Sequence, residues 1–282
     1  MNRRHCLSLL GASSLLLSGC AGIAASTTAP AASSTLRGTG DLGVVVARST
    51  GTLAIVDTTA RTLLAEVKGL GDLSHASVVF SRDGRYAYVF GRDGALTKVD
   101  LLTQRIDARV MQAGNSIGGA ISADGTMVVA QNYTPGGIKA FNAETLELVA
   151  DIPAEYEPGK LSRVVGLVDL PGRRFAYSLF DANAIWISDL SDPASPVTTK
   201  LPNIGRQPYD ALVTPNGRHY IAGLFGEDGL AMVDLWENKP QVRRILAGYG
   251  RGQEPPAGLQ DAAPARLGRG RAPRLPARHR PP

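Results

Sequence analysis

The chain repeats one pattern of short apolar segments and glycine turns, and this repeat restricts the fold more than any other feature of the sequence. Each unit has an apolar segment, a polar turn with glycine, a second apolar segment, a loop, and a third apolar segment that ends at Asp or Asn. The units start 41 to 47 residues apart, at Phe80, Ile121, Val168 and Val213. A period of about 40–45 residues is typical of one four-stranded blade of a β-propeller.

Glycine turns and acidic end points delimit the strands within each unit. The first turns are Arg82–Arg85, Ala123–Gly125, Pro171–Arg173 and Pro215–Arg218, and the third segments end at Asp100, Asn142, Asp189 and Asp234. Short apolar bursts between such turns indicate strands and hairpins rather than helices. A partial unit at 43–57 supplies only the later strands of a blade. The sequence therefore predicts an all-β fold, an incomplete β-propeller of about four and a half four-stranded antiparallel blades.

The topology of a blade assigns several polar side chains to one face. Connectors into first strands and loops between second and third strands lie on the same face of an up-and-down blade. This predicts one mouth lined by His75, Ser116, Arg163 and Asp210 from the connectors and by Arg48, Arg92, Tyr133 and residues 225–228 from the loops. Arginine binds carboxylates bidentately, tyrosine stacks on flat ligands, and histidine binds metals or transfers protons. Such a mouth suits a large, flat, polycarboxylate ligand. The alternative is that these residues are solvated and that Tyr133 only packs a turn.

The first 20 residues are typical of a bacterial lipoprotein export signal. Arg3 and Arg4 precede an apolar run, and Leu-Ser-Gly-Cys at 17–20 resembles a lipobox. The run is shorter than the about 20 apolar residues that a membrane-spanning helix needs. We expect removal of residues 1–19, acylation of Cys20, a flexible tether over 20–42, and a periplasmic, membrane-anchored lipoprotein. The arginine pair also weakly resembles a twin-arginine signal, which leaves the export route open.

The last 28 residues, 255–282, differ in composition from the rest. They contain seven Pro and six Arg but one acidic residue and no aromatic residue, in a chain whose formal net charge is +5. We expect an aberrant, disordered tail, such as GC-rich sequence gives when read out of frame, after a partial propeller domain at 43–254. A basic tail that binds nucleic acid or anionic lipid is the alternative. We favour the first interpretation and predict no nucleic-acid partner.

Five motifs occur in order before this tail. They are Leu-Arg-Gly-Thr-Gly-Asp-Leu-Gly at 36–43, Gly-Asp-Leu-Ser-His at 71–75, Gly-Asn-Ser-Ile-Gly-Gly at 114–119, Ser-Arg-Val-Val-Gly-Leu-Val-Asp at 162–169, and Gln-Pro-Tyr-Asp at 207–210. With them the chain resembles the NirF family, periplasmic propeller proteins of haem d1 assembly. More distantly it resembles the d1-haem propeller of cytochrome cd1 nitrite reductase. The resemblance implies eight blades in a full propeller, so we expect this chain to be C-terminally truncated or frameshifted near blade five.

The resemblance to the reductase also implies roles for the predicted mouth residues. His75 matches the axial ligand of the haem iron, and Tyr133 matches a pocket tyrosine. The matching arginines, implied to bind carboxylates of haem d1 or its precursor, are Arg48, Arg92 and Arg163.

One difference from the reductase changes the expected chemistry. The two histidines that protonate nitrite there correspond to Leu170 and Asp210, so the resemblance implies binding of a d1-type macrocycle without nitrite reduction. Asp210 is then a candidate acid–base partner of His75.

The resemblance implies a protein required for haem d1 biosynthesis, which matures the tetrapyrrole for cytochrome cd1 nitrite reductase. Dehydrogenation of a tetrapyrrole is one candidate step. The alternatives are a non-enzymatic carrier of haem d1 or its precursor and a protein-binding scaffold. A carrier and an enzyme need the same binding residues, so the sequence leaves this choice open. Expected partners are the tetrapyrrole, the nitrite reductase, other d1-haem assembly proteins, and the membrane through a lipid anchor.

Replacement of Cys20 tests the predicted lipobox. In an exporting bacterial host, Cys20→Ser is expected to move the protein from the membrane fraction to a soluble or unprocessed form, because the acylated thiol is lost. Immunoblots of membrane and soluble fractions measure the change, with Cys6→Ser as the control. A wild-type protein found wholly in the soluble fraction would contradict the prediction.

Overall fold

The computed structural model describes residues 38–248. The predicted export signal, Cys20, most of the tether and residues 255–282 lie outside the described residues. Within residues 38–248 every helix or strand element is a β-strand. In this range no helix is long and apolar enough to cross a membrane.

The strands form five larger antiparallel sheets, which follow one another along the chain, and one separate two-stranded hairpin. Sheet 1 has three strands, β1 (Leu42–Ala47), β2 (Thr52–Asp57) and β3 (Thr62–Val67). Sheet 2 contains β4 (Ser77–Phe80), β5 (Tyr86–Phe90), β6 (Ala95–Asp100) and β7 (Arg105–Met111). Sheet 3 contains β8 (Asn115–Ile121), β9 (Met127–Thr134), β10 (Gly137–Asn142) and β11 (Leu148–Ile152).

A short hairpin separates sheets 3 and 4. It consists of β12 (Glu155–Glu157) and β13 (Lys160–Leu161). Sheet 4 contains β14 (Val164–Leu170), β15 (Arg174–Leu179), β16 (Ala184–Asp189) and β17 (Val197–Leu201). Sheet 5 contains β18 (Pro208–Val213), β19 (His219–Leu224), β20 (Leu230–Asp234) and β21 (Val242–Ile245).

This architecture confirms the predicted fold class. Four sheets are four-stranded meanders, and the partial unit at the start supplies three strands. The hairpin was not predicted, although Pro158-Gly159 is a good turn pair because proline presets φ and Gly159 adopts φ 73°. It lies within the longest repeat interval, from Ile121 to Val168.

The turns between the first and second strands of sheets 2, 3 and 5 share one hydrogen-bond pattern. In sheet 2, Ser81 Oγ donates to Asp83 and accepts from the Tyr86 N–H, while Asp83 also accepts from the Arg85 N–H. Sheets 3 and 5 repeat this pattern with Ser122 and Asp124 and with Thr214 and Asn216. These short polar side chains close the turn locally, which is why Asp-Gly and Asn-Gly located the hairpins correctly.

Each pair of adjacent sheets shares a hydrophobic core. In β5, Ala87 and Val89 pack with residues of sheet 1, whereas Tyr88 and Phe90 pack with residues of sheet 3. Alternate side chains of a strand point to opposite faces, so a strand buried on both faces is apolar throughout. Two further clusters fill the spaces between sheets 3 and 4 and between sheets 4 and 5.

The first strands contact one another in chain order, β4 with β8, β8 with β14, and β14 with β18. Glycine permits the close approach of β8 to β9 in its own sheet and to β5 of sheet 2. A Cβ atom at Gly119 would lie 2.2 Å from Val129 O and 2.3 Å from Phe90 Cζ. We call the side reached by the connectors into these strands, and by the second-to-third-strand loops, the connector face. The opposite side, with the first-to-second-strand turns, is the turn face.

Replacement of Gly119 tests the packing of β8 against β9 and β5. Gly119→Ala is expected to destabilise the fold by about 1–3 kcal/mol or more, because the added methyl group overpacks a closed core. Gly40→Ala is the matched control, since a Cβ atom there meets nothing within 4 Å. Circular dichroism melts of the two variants measure the difference. A melting temperature for Gly119→Ala equal to that of the control would contradict the packing argument.

Candidate functional site

The connector face brings the loop of His75 against the loop of Arg92. The Arg92 N–H donates to Asp72 O at 2.7 Å, and the Ser74 N–H donates to Asp72 Oδ1 at 2.8 Å. Hydrogen bonds from Ser74 keep the pKa of Asp72 low, with a smaller contribution from the charge of Arg92. His75 is exposed and Arg92 is half-buried. The backbone thus joins the predicted axial histidine to the loop of a predicted carboxylate-binding arginine.

Arg48 lies on a third loop that touches the same connector. This loop joins β1 to β2, and Arg48 is exposed on it. The close approach requires Gly51, where a Cβ atom would lie 2.6 Å from Gly71 O and where φ is 64°. Arg48, His75 and Arg92 therefore occupy three adjoining loops of sheets 1 and 2, which we call the His75 group.

A hydrogen bond joins the hydroxyl groups of Tyr133 in sheet 3 and Tyr209 in sheet 5. Their hydroxyl oxygens are 2.9 Å apart, with Tyr133 in β9 and Tyr209 in β18. Burial, together with the hydrogen bond to Tyr209, raises the pKa of Tyr133 far above the ordinary value. Both forms of a phenol accept hydrogen bonds, but only the neutral form donates one. Tyr133 therefore stays a neutral hydrogen-bonding group at physiological pH, and it does more than pack a turn.

Tyr209 of this pair belongs to an aromatic cluster. The rings of Phe180, Tyr209 and Phe225 have centroids 5.7–6.0 Å apart in tilted and edge-on arrangements. Sequence reasoning did not identify Phe180 or Tyr209. A signal was present, because Phe90, Phe180 and Phe225 each lie where a second strand meets the following loop. Phe90 ends β5, Phe180 directly follows β15, and Phe225 directly follows β19. The cluster gives the connector face an apolar wall between sheets 4 and 5.

Arg163 reaches this wall but already binds a carboxylate. Its Nε and Nη2 donate to the two oxygens of Asp181 at 3.0 and 2.6 Å, and its guanidinium lies 4.2 Å from the Phe180 ring centroid. Burial tends to raise the pKa of Asp181, but the hydrogen bonds from Arg163 outweigh it and leave that pKa lowered. A carboxylate ligand of Arg163 would therefore compete with Asp181.

Asp210 belongs to the neighbourhood of the tyrosine pair. It lies inside β18 rather than before it, because pairing with β19 begins at Pro208 and passes through an irregularity before Ala211. Ser116 likewise lies inside β8. Burial is the main cause of the raised pKa values of Tyr133 and Tyr220, and the negative charge of Asp210 adds to both. We call Tyr133, Arg163, Asp210 and the aromatic cluster the tyrosine group.

The described residues contain no cluster of metal ligands, and one cavity lies outside the candidate site. Within residues 38–248, no group of three or more His, Cys, Asp or Glu residues is arranged to hold a metal ion. A cavity of about 440 Å³ lies at the turn face, beside the ends of β4, β8 and β14. The ion pair of Arg82 with Asp169 at 2.7 Å lies at this cavity. The cavity thus lies at the opposite ends of these strands from the connector face, which carries the predicted binding residues.

Comparison with known proteins places these features in a family. Protein NirF of Stutzerimonas stutzeri is 64% identical over 221 residues, which cover 78% of this chain and 56% of that protein. Protein NirF of Pseudomonas aeruginosa is 64% identical over 220 residues, covering 77% and 56%. The chain thus spans about half the length of these curated relatives.

A solved structure agrees with the sequence comparison. The dihydro-heme d1 dehydrogenase NirN in complex with DHE superposes with a TM-score of 0.65 at 27% identity, covering 74% of this chain and 44% of that one. The family model described as the cytochrome D1 heme domain matches residues 37–261. Because this match spans most of the sequence, the chain belongs to the cytochrome D1 heme domain family.

Proposed function

We propose that this chain takes part in haem d1 biosynthesis by binding a d1-type tetrapyrrole at the connector face. The observation that carries the proposal is the meeting of the Arg48, His75 and Arg92 loops, fixed by the contact of Gly51 with Gly71 O and by the Arg92 N–H bond to Asp72 O. An imidazole between two arginine loops offers one axial ligand for iron and two carboxylate-binding forks. The NirF relatives and the neighbouring dihydro-heme d1 dehydrogenase support the choice of ligand.

The proposed roles follow the chemistry of each group. Bound haem d1 or its precursor would supply a flat conjugated ring with an iron atom, and the His75 imidazole would coordinate this iron. Arg48 and Arg92 would bind ring carboxylates, and the Tyr133 ring, held by the hydrogen bond between its hydroxyl group and Tyr209, would stack against the macrocycle. Asp210, beside Tyr133, is the proposed acid–base group of the tyrosine group.

An enzymatic step is the first candidate within this function, because a neighbouring structure is a dehydrogenase of dihydro-heme d1. Dehydrogenation removes two protons and two electrons from the ring, and the electrons need an acceptor. A non-enzymatic carrier is the second candidate, because the arginine forks and His75 serve transfer equally well.

We also propose that the lipid at Cys20 holds the protein at the periplasmic membrane surface. Exported d1-haem assembly proteins and cytochrome cd1 nitrite reductase would then be its partners. The support for this placement is the sequence motif at 17–20.

Spectroscopy with dihydro-haem d1 tests the function and the role of His75. Anaerobic addition of the pigment to the purified chain is expected to shift its absorbance bands. His75→Ala is expected to abolish the ligand-field bands, because the imidazole is lost. The matched control is His219→Ala, since His219 lies at the turn-face end of β19, 3.8 Å from Asp234.

The same experiment separates the candidates. Conversion of the pigment after addition of a soluble electron acceptor identifies an enzyme, and a shifted but unconverted pigment identifies a carrier. An unchanged spectrum of wild-type protein would refute tetrapyrrole binding and favour a scaffold. Identical spectra of wild type and His75→Ala would remove His75 from the site.

Titrations with the same pigment test the arginines of the His75 group. Arg48→Ala and Arg92→Ala are each expected to weaken binding by about 1.5–3 kcal/mol, because a charge-assisted hydrogen bond is lost. Lysine at either position should restore only part of this, because it lacks the bidentate fork. Arg105→Ala, at an exposed position in the outer strand β7, is the control. Unchanged affinity in both variants would assign Arg48 and Arg92 to the solvated loop surface.

A further inference from the structure

A cleft of about 330 Å³ opens on the connector face between sheets 4 and 5. It is lined by the β15–β16 loop, the connector into β18 and the β19–β20 loop, through Phe180, Asp181, Asn183, Arg206, Gln207 and Gly226. The cleft adjoins the aromatic cluster through Phe180. Small-molecule sites span about 300–1,000 Å³, so this one suits a substituent of a large ring rather than the whole ring.

The connector into β18 is held in an unusual backbone conformation at this cleft. Asn203, Gly205 and Gln207 have φ values of 58°, 131° and 50°. Left-handed conformations are costly for residues other than glycine and persist where the surroundings impose them, often at ligand sites. Gly205 has a steric reason, because a Cβ atom there would lie 2.6 Å from Glu227 Oε1 and 2.5 Å from Arg244 Nη1.

Hydrogen bonds fix this connector to both neighbouring loops. The Arg206 N–H donates to Glu227 Oε1 and the Gln207 N–H to Asn183 Oδ1, both at 2.8 Å. The Phe225 N–H donates to Gln207 O at 2.8 Å. The direction in which the Arg206 side chain leaves the backbone is therefore set before any ligand arrives, which lowers the ordering cost of binding.

The charges around Glu227 leave the Arg206 guanidinium turned toward solvent. Arg244 Nη2 lies 2.7 Å from Glu227 Oε1, whereas Arg206 Nε lies 3.8 Å from Oε2, and the Arg206 side chain is 71% exposed. Burial tends to raise the pKa of Glu227, but the Arg206 N–H and Arg244 lower it overall, so the carboxylate is ionised. In this trio two guanidinium groups face one carboxylate, and Arg244 makes the short ion pair.

We propose that Arg206 is a carboxylate-binding arginine of this cleft, which receives one carboxylate-bearing edge of the tetrapyrrole against Phe180. This inference rests on the proposed function and adds a subsite to it. Arg206 suits the task better than Arg163, whose fork is bound to Asp181 on both oxygens. An arginine fork binds a carboxylate with two parallel hydrogen bonds, which fixes the orientation of the ring edge.

Absorbance titrations of the full chain with iron mesoporphyrin, which carries two carboxylates, and with its dimethyl ester test the subsite. Arg206→Gln is expected to weaken binding of the diacid by about tenfold to a hundredfold, as for loss of a hydrogen bond to a charged group. Binding of the diester should be the same in variant and wild type. Arg206→Lys should recover part of the loss. The matched control is Arg243→Gln, because Arg243 lies on β21 and pairs with Glu237 at 3.1 Å.

The outcomes separate this inference from the function on which it rests. Wild-type affinity of Arg206→Gln for the diacid overturns the subsite and leaves tetrapyrrole binding standing. Equal losses for diacid and diester also overturn it, because the arginine then acts through the fold. If the wild-type chain binds neither porphyrin, the proposed function and the subsite both fail.

Discussion

Burial of each inner sheet on both faces is the constraint on which the rest of the structure depends. The strand β5 shows it directly, since Ala87 and Val89 serve one core while Tyr88 and Phe90 serve the next. Sheets that must pack on both sides stack face to face, and their first strands then meet side by side. Because every sheet is an up-and-down meander, this stacking delivers all the connectors to one face. The loops that carry Arg48, His75 and Arg92 meet for that reason.

The strand pattern could be predicted from the sequence because the turns are closed by local chemistry. Ser81 with Asp83 and Thr214 with Asn216 satisfy their own turns within a few residues, and Asp100 accepts from the N–H groups of Leu102 and Thr103 after the third strand. Features that depend on register were not predictable in this way. The placement of Asp210 inside β18 follows from where pairing with β19 begins, and that start is set by the partner strand.

The candidate site also contains features that the sequence could predict and features that it could not. Topology alone assigned Arg48, His75 and Arg92 to one face, and the structure joins their loops. It could not reveal that Arg163 binds Asp181 or that Tyr133 meets Tyr209, because these partners are 18 and 76 residues apart in the chain. Such pairings depend on distances between side chains of different loops and sheets, which no repeat period encodes. Phe180 is an intermediate case, since its position at the boundary of a second strand and a loop recurs in the sequence although its packing against Tyr209 does not.

The arginines of the turn face and Arg206 of the connector face differ in how closely they are paired with carboxylates. At the turn face, four arginines each form an ion pair of 2.6–2.8 Å with an aspartate: Arg82, Arg85, Arg173 and Arg218. The two pairs whose partners are both exposed, Arg82 with Asp169 and Arg173 with Asp124, contribute only about 0–1 kcal/mol each. Their main effect is to orient the turns. At the connector face, Arg206 lies 3.8 Å from a carboxylate that Arg244 approaches to 2.7 Å, and its backbone conformation is imposed by two neighbouring loops. Arg163, which also lies at the connector face, is already paired with Asp181 at 2.6 Å. The looser pairing of Arg206 is therefore what supports the proposed carboxylate subsite.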